Sequence, residues 1–119
     1  MPHIKLEHTE NVESSKFEHV FKKLINVLIE NAEVKKENCK CKTIQIPIYQ
    51  MGSDNLGYYY HLEISLLKGR PENVRQTIGQ KSLQILQDYF TDNKGKYIKQ
   101  LSVEIREMNP GDYFTSNTL

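Results

Sequence analysis

The first residues of the chain, Met1-Pro2-His3-Ile4, contain a group that could move protons. If Met1 is removed, the chain begins with the secondary amine of Pro2, held on a rigid ring. A chain-terminal amine has a reference pKa of about 7.7–8.0, and burial or a nearby cation lowers that pKa because each disfavours the protonated form. A neutral amine can act as a general base. The alternative interpretation is that Pro2 is an ordinary residue at the start of the chain.

Two lysines form a second group of candidates. Period-two geometry places Lys40 and Lys42 on the same face of a predicted strand as Ile44 and Ile46, if that strand extends back to them. Lysines that continue an apolar face either reach water at the end of the sheet or point into a pocket, where they would bind anions. The sequence leaves both alternatives open.

Two further candidates lie near the middle of the chain. Gly69-Arg70 interrupts the pattern at the end of a predicted strand, so we expect Arg70 to meet Lys40 and Lys42 at one anionic site. From the sequence, Arg70→Ala should reduce turnover and leave folding intact. His61 lies on the polar face of the same strand and either orients a substrate or packs as an ordinary strand histidine.

Composition excludes several classes of function. The formal net charge is +1, without a basic block, which argues against nucleic-acid binding by phosphate neutralisation. No apolar run approaches the about 20 residues that span a bilayer, and the start lacks the pattern of a signal peptide. The two cysteines, Cys39 and Cys41, are too close for an easy disulfide, and no second pair completes a zinc site. We therefore expect reduced thiols, no metal and a cytoplasmic protein.

The hydrophobic pattern predicts the elements that must position these residues. At 119 residues, we expect one domain, 1–119. Alternation predicts strands at residues 3–9, 43–48, 58–67 and 98–106, and helical stripes predict helices at 15–32, with a Ser15–Glu18 capping box, and from Pro71 to Phe90. This is an α+β domain of two layers, with the order β-α-β-β-α-β. Both the ferredoxin-like sandwich and the tautomerase fold have that order, and periodicity does not separate them.

Three motifs do separate them. At three places with matching separations, the chain resembles the 5-carboxymethyl-2-hydroxymuconate isomerase family of the tautomerase superfamily. These places are residues 1–11, Gly69-Arg70 with Arg75 and Gly79, and residues 101–110. His61 falls where that family tends to carry a histidine in the third strand. The resemblance covers nearly the whole chain in register.

The resemblance implies a fold and a reaction. The fold is a four-stranded mixed sheet with two helices on one face, assembled as a homotrimer. The reaction is the isomerisation of an unsaturated enol di- or tricarboxylate in the degradation of aromatic compounds, with Pro2 as general base and no metal or organic cofactor. Lys40, Lys42 and Arg70 would hold the carboxylates, and His61 is a lower-ranked candidate for orienting the substrate.

The chain also departs from the family. Lys40 and Lys42 stand where the family tends to carry arginine, so the charge is kept but the bidentate fork is lost. Pro71 stands where a helix-capping hydroxyl residue is common. The alternative function is a non-catalytic binding module of the same fold or of the ferredoxin-like fold. Tyr58-Tyr59-Tyr60 indicates either packing within the domain or aromatic contacts across a subunit interface.

Overall fold

The computed structural model describes residues 1–47, 50–52, 54–55, 58–90 and 99–116. These residues form two long helices, α1 (Ser14–Ala32) and α2 (Glu72–Phe90). The strands are β1 (His3–His8), β2 (Lys40–Gln45), β3 (Gln50–Met51), β4 (Asp54–Asn55), β5 (Tyr58–Leu67) and β6 (Lys99–Met108). Short 3₁₀ turns at Lys36–Asn38 and Pro110–Asp112 precede β2 and follow β6.

Four strands form one mixed sheet in the order β2-β1-β5-β6. The pairs β1–β2 and β5–β6 are parallel, and the central pair β1–β5 is antiparallel. Each half is therefore a strand, a crossover helix and a neighbouring parallel strand. In the ferredoxin-like arrangement another strand splits the β-α-β unit, whereas here β1 and β2 are direct neighbours. The strand order thus excludes the ferredoxin-like alternative.

Both helices pack on one face of this sheet because the strands alternate. Every second residue of β1 and β5 points at the helices, and Ile4, Leu6, Leu62 and Ile64 among them are fully buried, while α1 and α2 present apolar stripes to the sheet. The ring of Tyr60 stacks on Phe90 with centroids 4.2 Å apart. Buried side chains of this core are Ile4, Leu6, Leu24, Leu28, Tyr60, Leu62, Ile64, Leu66, Ile78, Leu86 and Phe90.

The other face of the sheet is polar, and within the described ranges no helix lies on it. Glu63 contacts both Lys5 (3.8 Å) and Arg106 (3.6 Å), and Glu104 contacts Arg106 (3.3 Å) and His61 (3.5 Å). Exposed ion pairs contribute about 0–1 kcal/mol each. The apolar core, and not this charged face, therefore supplies most of the stability.

Several boundaries differ from the sequence-based predictions. The predicted capping box is wrong, because α1 begins at Ser14 with Glu13 as its N-cap and no side chain caps it. Ser15 consequently lies inside the first turn. Between the predicted strands 43–48 and 58–67, where no element was predicted, β3 pairs antiparallel with β4. Pro71 lies just before α2, and its carbonyl accepts hydrogen bonds from the N–H groups of Val74 and Arg75.

Other predictions are met in part. Strand β2 does extend back to Lys40, and β5 has the predicted bounds. Tyr60 belongs to the core, with 1% of its surface exposed, so the interface interpretation of the tyrosine run is wrong for that residue. Predictions for Ile48 and Ile98 fall outside the described residues. Among the helices that the structure describes, none is long and apolar enough to span a membrane.

Candidate active site

Pro2 is fixed at the start of β1. It is buried, and its carbonyl accepts a hydrogen bond of 3.0 Å from the backbone N–H of Lys40, which continues the β1–β2 pairing. The Met1 amine donates to the carbonyl of Asn38 at 3.1 Å. The start of the chain is therefore held by the sheet, as the alternation of the first residues predicts.

A small cavity of about 80 Å³ opens at Pro2. Its lining side chains are apolar except that of Arg70, which is the one cationic side chain that lines it among the described residues. The apolar wall comes from the end of β5 and from the residue that follows the left-handed turn of Glu33 (φ 55°) after α1. The lining residues are Met1, Pro2, Val34, Leu66, Leu67 and Arg70.

The electrostatic environment of the chain start favours a neutral amine. Burial, together with Lys40 beside it, lowers the pKa of the Met1 amine below its ordinary value. Burial also lowers the pKa of the His3 imidazole, and the amine, Lys40 and Lys42 lower it further. Each cation disfavours a second positive charge nearby. Protonation at this end of the sheet is therefore disfavoured at two neighbouring groups.

Arg70 reaches the cavity from the turn between β5 and α2. Gly69 precedes it with φ 142°, a backbone conformation that favours glycine. The Arg70 guanidinium donates through Nη1 to the carbonyl of Leu67 (3.1 Å) and through Nη2 to that of Ala32 (3.0 Å). It thereby ties the end of α1 to the end of β5. A guanidinium has five N–H donors, so these two bonds leave donors for an anionic ligand.

The two lysines lie on the opposite face of the sheet from the Pro2 cavity. Lys40 is paired with His3 and Lys42 with Lys5, which places both lysine side chains on the polar face. They line a second cavity of about 80 Å³ beside His3. Lys40 is nonetheless close enough to the Met1 amine to lower its pKa. The structure therefore brings Lys40 and Arg70 to the same end of β1 from opposite faces, with Lys42 one alternation further along.

His61 lies away from this end of the sheet. It is opposite Glu7 in the β1–β5 pairing, four residues along β1 from His3, or about 13 Å at the strand rise. Its Nδ1 shares a hydrogen bond of 2.6 Å with Ser102 Oγ, and its ring stacks on Tyr59. Within one chain, then, the structure does not bring His61 to Pro2.

Two contributions were missed by the sequence analysis. Val34, Leu66 and Leu67 form the cavity wall; for Leu66, strand alternation already indicated the buried face. Tyr113 lies beyond the last predicted strand, yet its hydroxyl shares a hydrogen bond of 3.0 Å with His3 Nε2. No local pattern connects two residues so far apart in sequence, so this contact required the structure.

The cysteines do not suggest a metal site. Burial raises the pKa of the Cys41 thiol to about 11 and also raises that of Cys39, so both thiols are protonated near neutrality. Over the parts of the chain that the structure covers, no group of three or more histidine, cysteine or acidic side chains is placed to hold a metal ion.

Comparisons with known proteins agree with the fold. A family model for 5-carboxymethyl-2-hydroxymuconate isomerase matches residues 2–119. A 5-carboxymethyl-2-hydroxymuconate isomerase from Deinococcus radiodurans R1 has a similar structure, at 23% identity and a TM-score of 0.81, covering 98% of this chain and 90% of that one. No curated protein sequence matches the chain.

More distant structures share the fold. A fused 4-OT wild-type protein, a symmetric trimer, matches at 12% identity and a TM-score of 0.78, over 98% of this chain and 94% of that one. A macrophage migration inhibitory factor-like protein from Entamoeba histolytica matches at 10% identity and a TM-score of 0.74, over 97% and 95%. The expected tautomerase-like fold is thereby confirmed.

Proposed function

Because the chain belongs to the 5-carboxymethyl-2-hydroxymuconate isomerase family, and is thus an isomerase, we propose that its active site is the cavity at Pro2. The observation that carries the proposal is the meeting of Pro2 and Arg70 in that cavity, at a chain start whose amine has a lowered pKa. We propose that the reaction moves a proton along an unsaturated enol di- or tricarboxylate.

Pro2 is the general base in this proposal. Removal of Met1 leaves the Pro2 amine at the buried start of β1. Burial and Lys40 lower the pKa of the Met1 amine, and we propose that they favour the neutral form of the Pro2 amine in the same way. The neutral amine removes a proton that conjugation to a carbonyl has made acidic, and returns it at another carbon. Proline suits this position because its ring fixes the nitrogen and because it is tolerated as the first residue of a strand.

Cations on both sides of β1 hold the substrate. Arg70 binds one carboxylate from the helix side of the sheet, and Lys40 and Lys42 attract another from the polar side. The negative charge that develops on the dienolate is stabilised by the same groups. Lysine attracts a carboxylate as a point charge and does not form the arginine fork, so the polar side orients the substrate less strictly.

The size of the cavity supports processing of Met1. Ligand pockets usually have volumes of about 300–1,000 Å³, far above the 80 Å³ that remains beside Pro2 while Met1 lines the cavity. Loss of Met1 removes one wall. A neighbouring cavity of about 350 Å³ lies on the other side of Arg70, which lines both. We therefore expect the processed chain to have more room for a dicarboxylate beside Arg70 than the unprocessed chain.

The decisive experiment compares processed protein with a Met1-retaining form, each verified by intact mass. Both are assayed for isomerisation of 5-carboxymethyl-2-hydroxymuconate and of a simpler enol dicarboxylate. We expect activity only in the processed form, because the nitrogen of Pro2 in the Met1-retaining form is an amide without a basic lone pair. Equal rates would rule out Pro2 as the base, and the absence of turnover and binding in both would favour a binding module for other ligands.

We further propose a cytoplasmic homotrimer. The similar fused 4-OT structure is a trimer, and the uncovered polar sheet face and the edge strands β2 and β6 are available for subunit contacts. Light scattering at micromolar concentration should give three times the monomer mass. A monomer at that concentration would contradict the proposal.

A further inference from the structure

A second arginine fixes the backbone of Arg70. Arg75 Nη1, on the first turns of α2, donates to the carbonyl oxygen of Arg70 at 3.2 Å and to Glu107 Oε1 on β6 at 3.1 Å. Arg75 is itself anchored by its backbone N–H, which donates to the carbonyl of Pro71 at 3.2 Å. One side chain therefore joins the end of β6, the start of α2 and the turn that carries Arg70.

We propose that Arg75 is a positioning residue that sets the orientation of Arg70 toward the carboxylate of the substrate. The inference rests on the proposed function of the Pro2 cavity. Arg75 does not line that cavity; it lines a separate cavity of about 560 Å³ between α2 and β6. Its effect on the substrate must therefore pass through Arg70.

The turn needs such support because little else in it is regular. Residues 68–71 lie between β5 and α2, outside helix and strand, and contain Gly69 at φ 142°. Two contacts with the end of β6 hold the turn. The N–H of Lys68 donates to the carbonyl of Met108 at 2.8 Å, and Glu107 forms an ion pair with Arg75, which in turn donates to the carbonyl of Arg70. Loss of Arg75 would leave the carbonyl of Arg70 without the donor that now fixes it.

The ion pair that supports Arg75 is partly shielded from water. The side chains of Arg75 and Glu107 are 29% and 30% exposed, whereas that of Arg106, on the other face of the same strand, is 55% exposed. Shielded pairs with direct hydrogen bonds hold geometry better than exposed ones. Arg106→Ala is therefore a matched control: it removes an arginine of the same sheet end without touching the turn.

The test combines kinetics with a double-mutant cycle in the processed protein. We expect Arg75→Ala to raise the KM of the enol dicarboxylate about tenfold, with kcat changed much less, and Arg75→Lys to recover part of that loss. If Arg75 acts through Arg70, then Arg70→Ala combined with Arg75→Ala should have the KM of Arg70→Ala alone. Additive effects, or a KM unchanged in Arg75→Ala, would overturn the inference.

Two measurements without turnover separate this inference from the proposed function. The first is calorimetric affinity for adipate, an unreactive dicarboxylate, which Arg75→Ala should weaken and Arg106→Ala should not. The second is amide hydrogen exchange, which should accelerate at residues 68–70 in Arg75→Ala only. If Arg70→Ala leaves adipate affinity unchanged, the proposed role of Arg70 fails, and the inference fails with it. If Arg70→Ala weakens binding and Arg75→Ala changes neither quantity, the inference alone is overturned.

Discussion

Substitution of Arg70 should cost stability as well as activity. The sequence suggested that Arg70→Ala would leave folding intact, but the guanidinium makes two hydrogen bonds to backbone carbonyls, at Ala32 and Leu67. Hydrogen bonds from a charged donor contribute about 1.5–3 kcal/mol each. Because Arg70 is only half-buried, water replaces part of that loss, and we expect a net destabilisation of about 2–4 kcal/mol for Arg70→Ala.

Urea unfolding at a fixed protomer concentration measures this loss, since association would otherwise shift the midpoint. For a chain of this length the expected loss corresponds to a melting temperature lower by roughly 10 °C. Arg70→Lys keeps the charge but not the planar guanidinium, so its stability should lie between those of Arg70→Ala and the wild type. Arg106 is 55% exposed, and its partner Glu63 keeps a contact with Lys5, so Arg106→Ala should change the free energy of unfolding by only about 1 kcal/mol. Equal stability of Arg70→Ala and wild type would refute the view that Arg70 clamps α1 to β5.

Four further outcomes follow from the structure. In the processed enzyme kcat/KM should rise with pH through a pKa below the ordinary range of a chain-terminal amine if the neutral Pro2 amine is the base, as proposed, and Lys40→Ala should then move that midpoint to higher pH; an unmoved midpoint would exclude Lys40 from the site. Gly69→Ala should cost about 1–3 kcal/mol in urea unfolding, since alanine at φ 142° is strained. Leu62→Ala should lower the free energy of unfolding by about 2–5 kcal/mol because it opens a void in the core; a smaller loss measured by calorimetry would contradict this expectation. Tyr113→Phe removes the hydroxyl that bonds His3, so limited proteolysis of the C-terminal segment should become faster; an equal rate would mean that this bond does not hold the segment.

The sequence predicted the elements well because each has a strong local signal. The alternation in β5 gave its bounds, and the apolar stripe gave α1 to within one residue. Periodicity could not predict the strand order, because pairing between distant strands depends on contacts that no local pattern encodes. The ferredoxin-like and tautomerase arrangements differ only in that order, and the family motifs, not the alternation, indicated the correct one.

The candidate site was predicted less completely for the same reason. Alternation correctly placed Lys40 and Lys42 on one strand face and His61 on the polar face of β5, but the face of the two lysines, predicted to be apolar, is the polar one, where Ile44 is 40% exposed. It could not tell which end of β1 His61 would lie beside, because that depends on the register that pairs it with Glu7. The sequence also could not show that Arg70 donates a hydrogen bond to the carbonyl of Ala32, because Ala32 lies on another element.

Met1 lies near both Arg70 and Lys40 in the proposed site. It lines the Pro2 cavity on the helix side, while its amine lies near Lys40 and bonds the carbonyl of Asn38. A single cleavage would therefore create the basic nitrogen, enlarge the cavity beside Arg70 and free the surroundings of Lys40.

Processing should consequently control binding as well as catalysis. We expect the Met1-retaining form to bind adipate at least about tenfold more weakly than the processed form, because access to both cations is restricted together. Cleavage removes neither Lys40 nor Arg70, so similar melting temperatures of the two forms would separate this effect from unfolding. Equal adipate affinity in the two forms would show that Met1 does not obstruct the site, and would limit the consequence of cleavage to the chemistry of the Pro2 nitrogen.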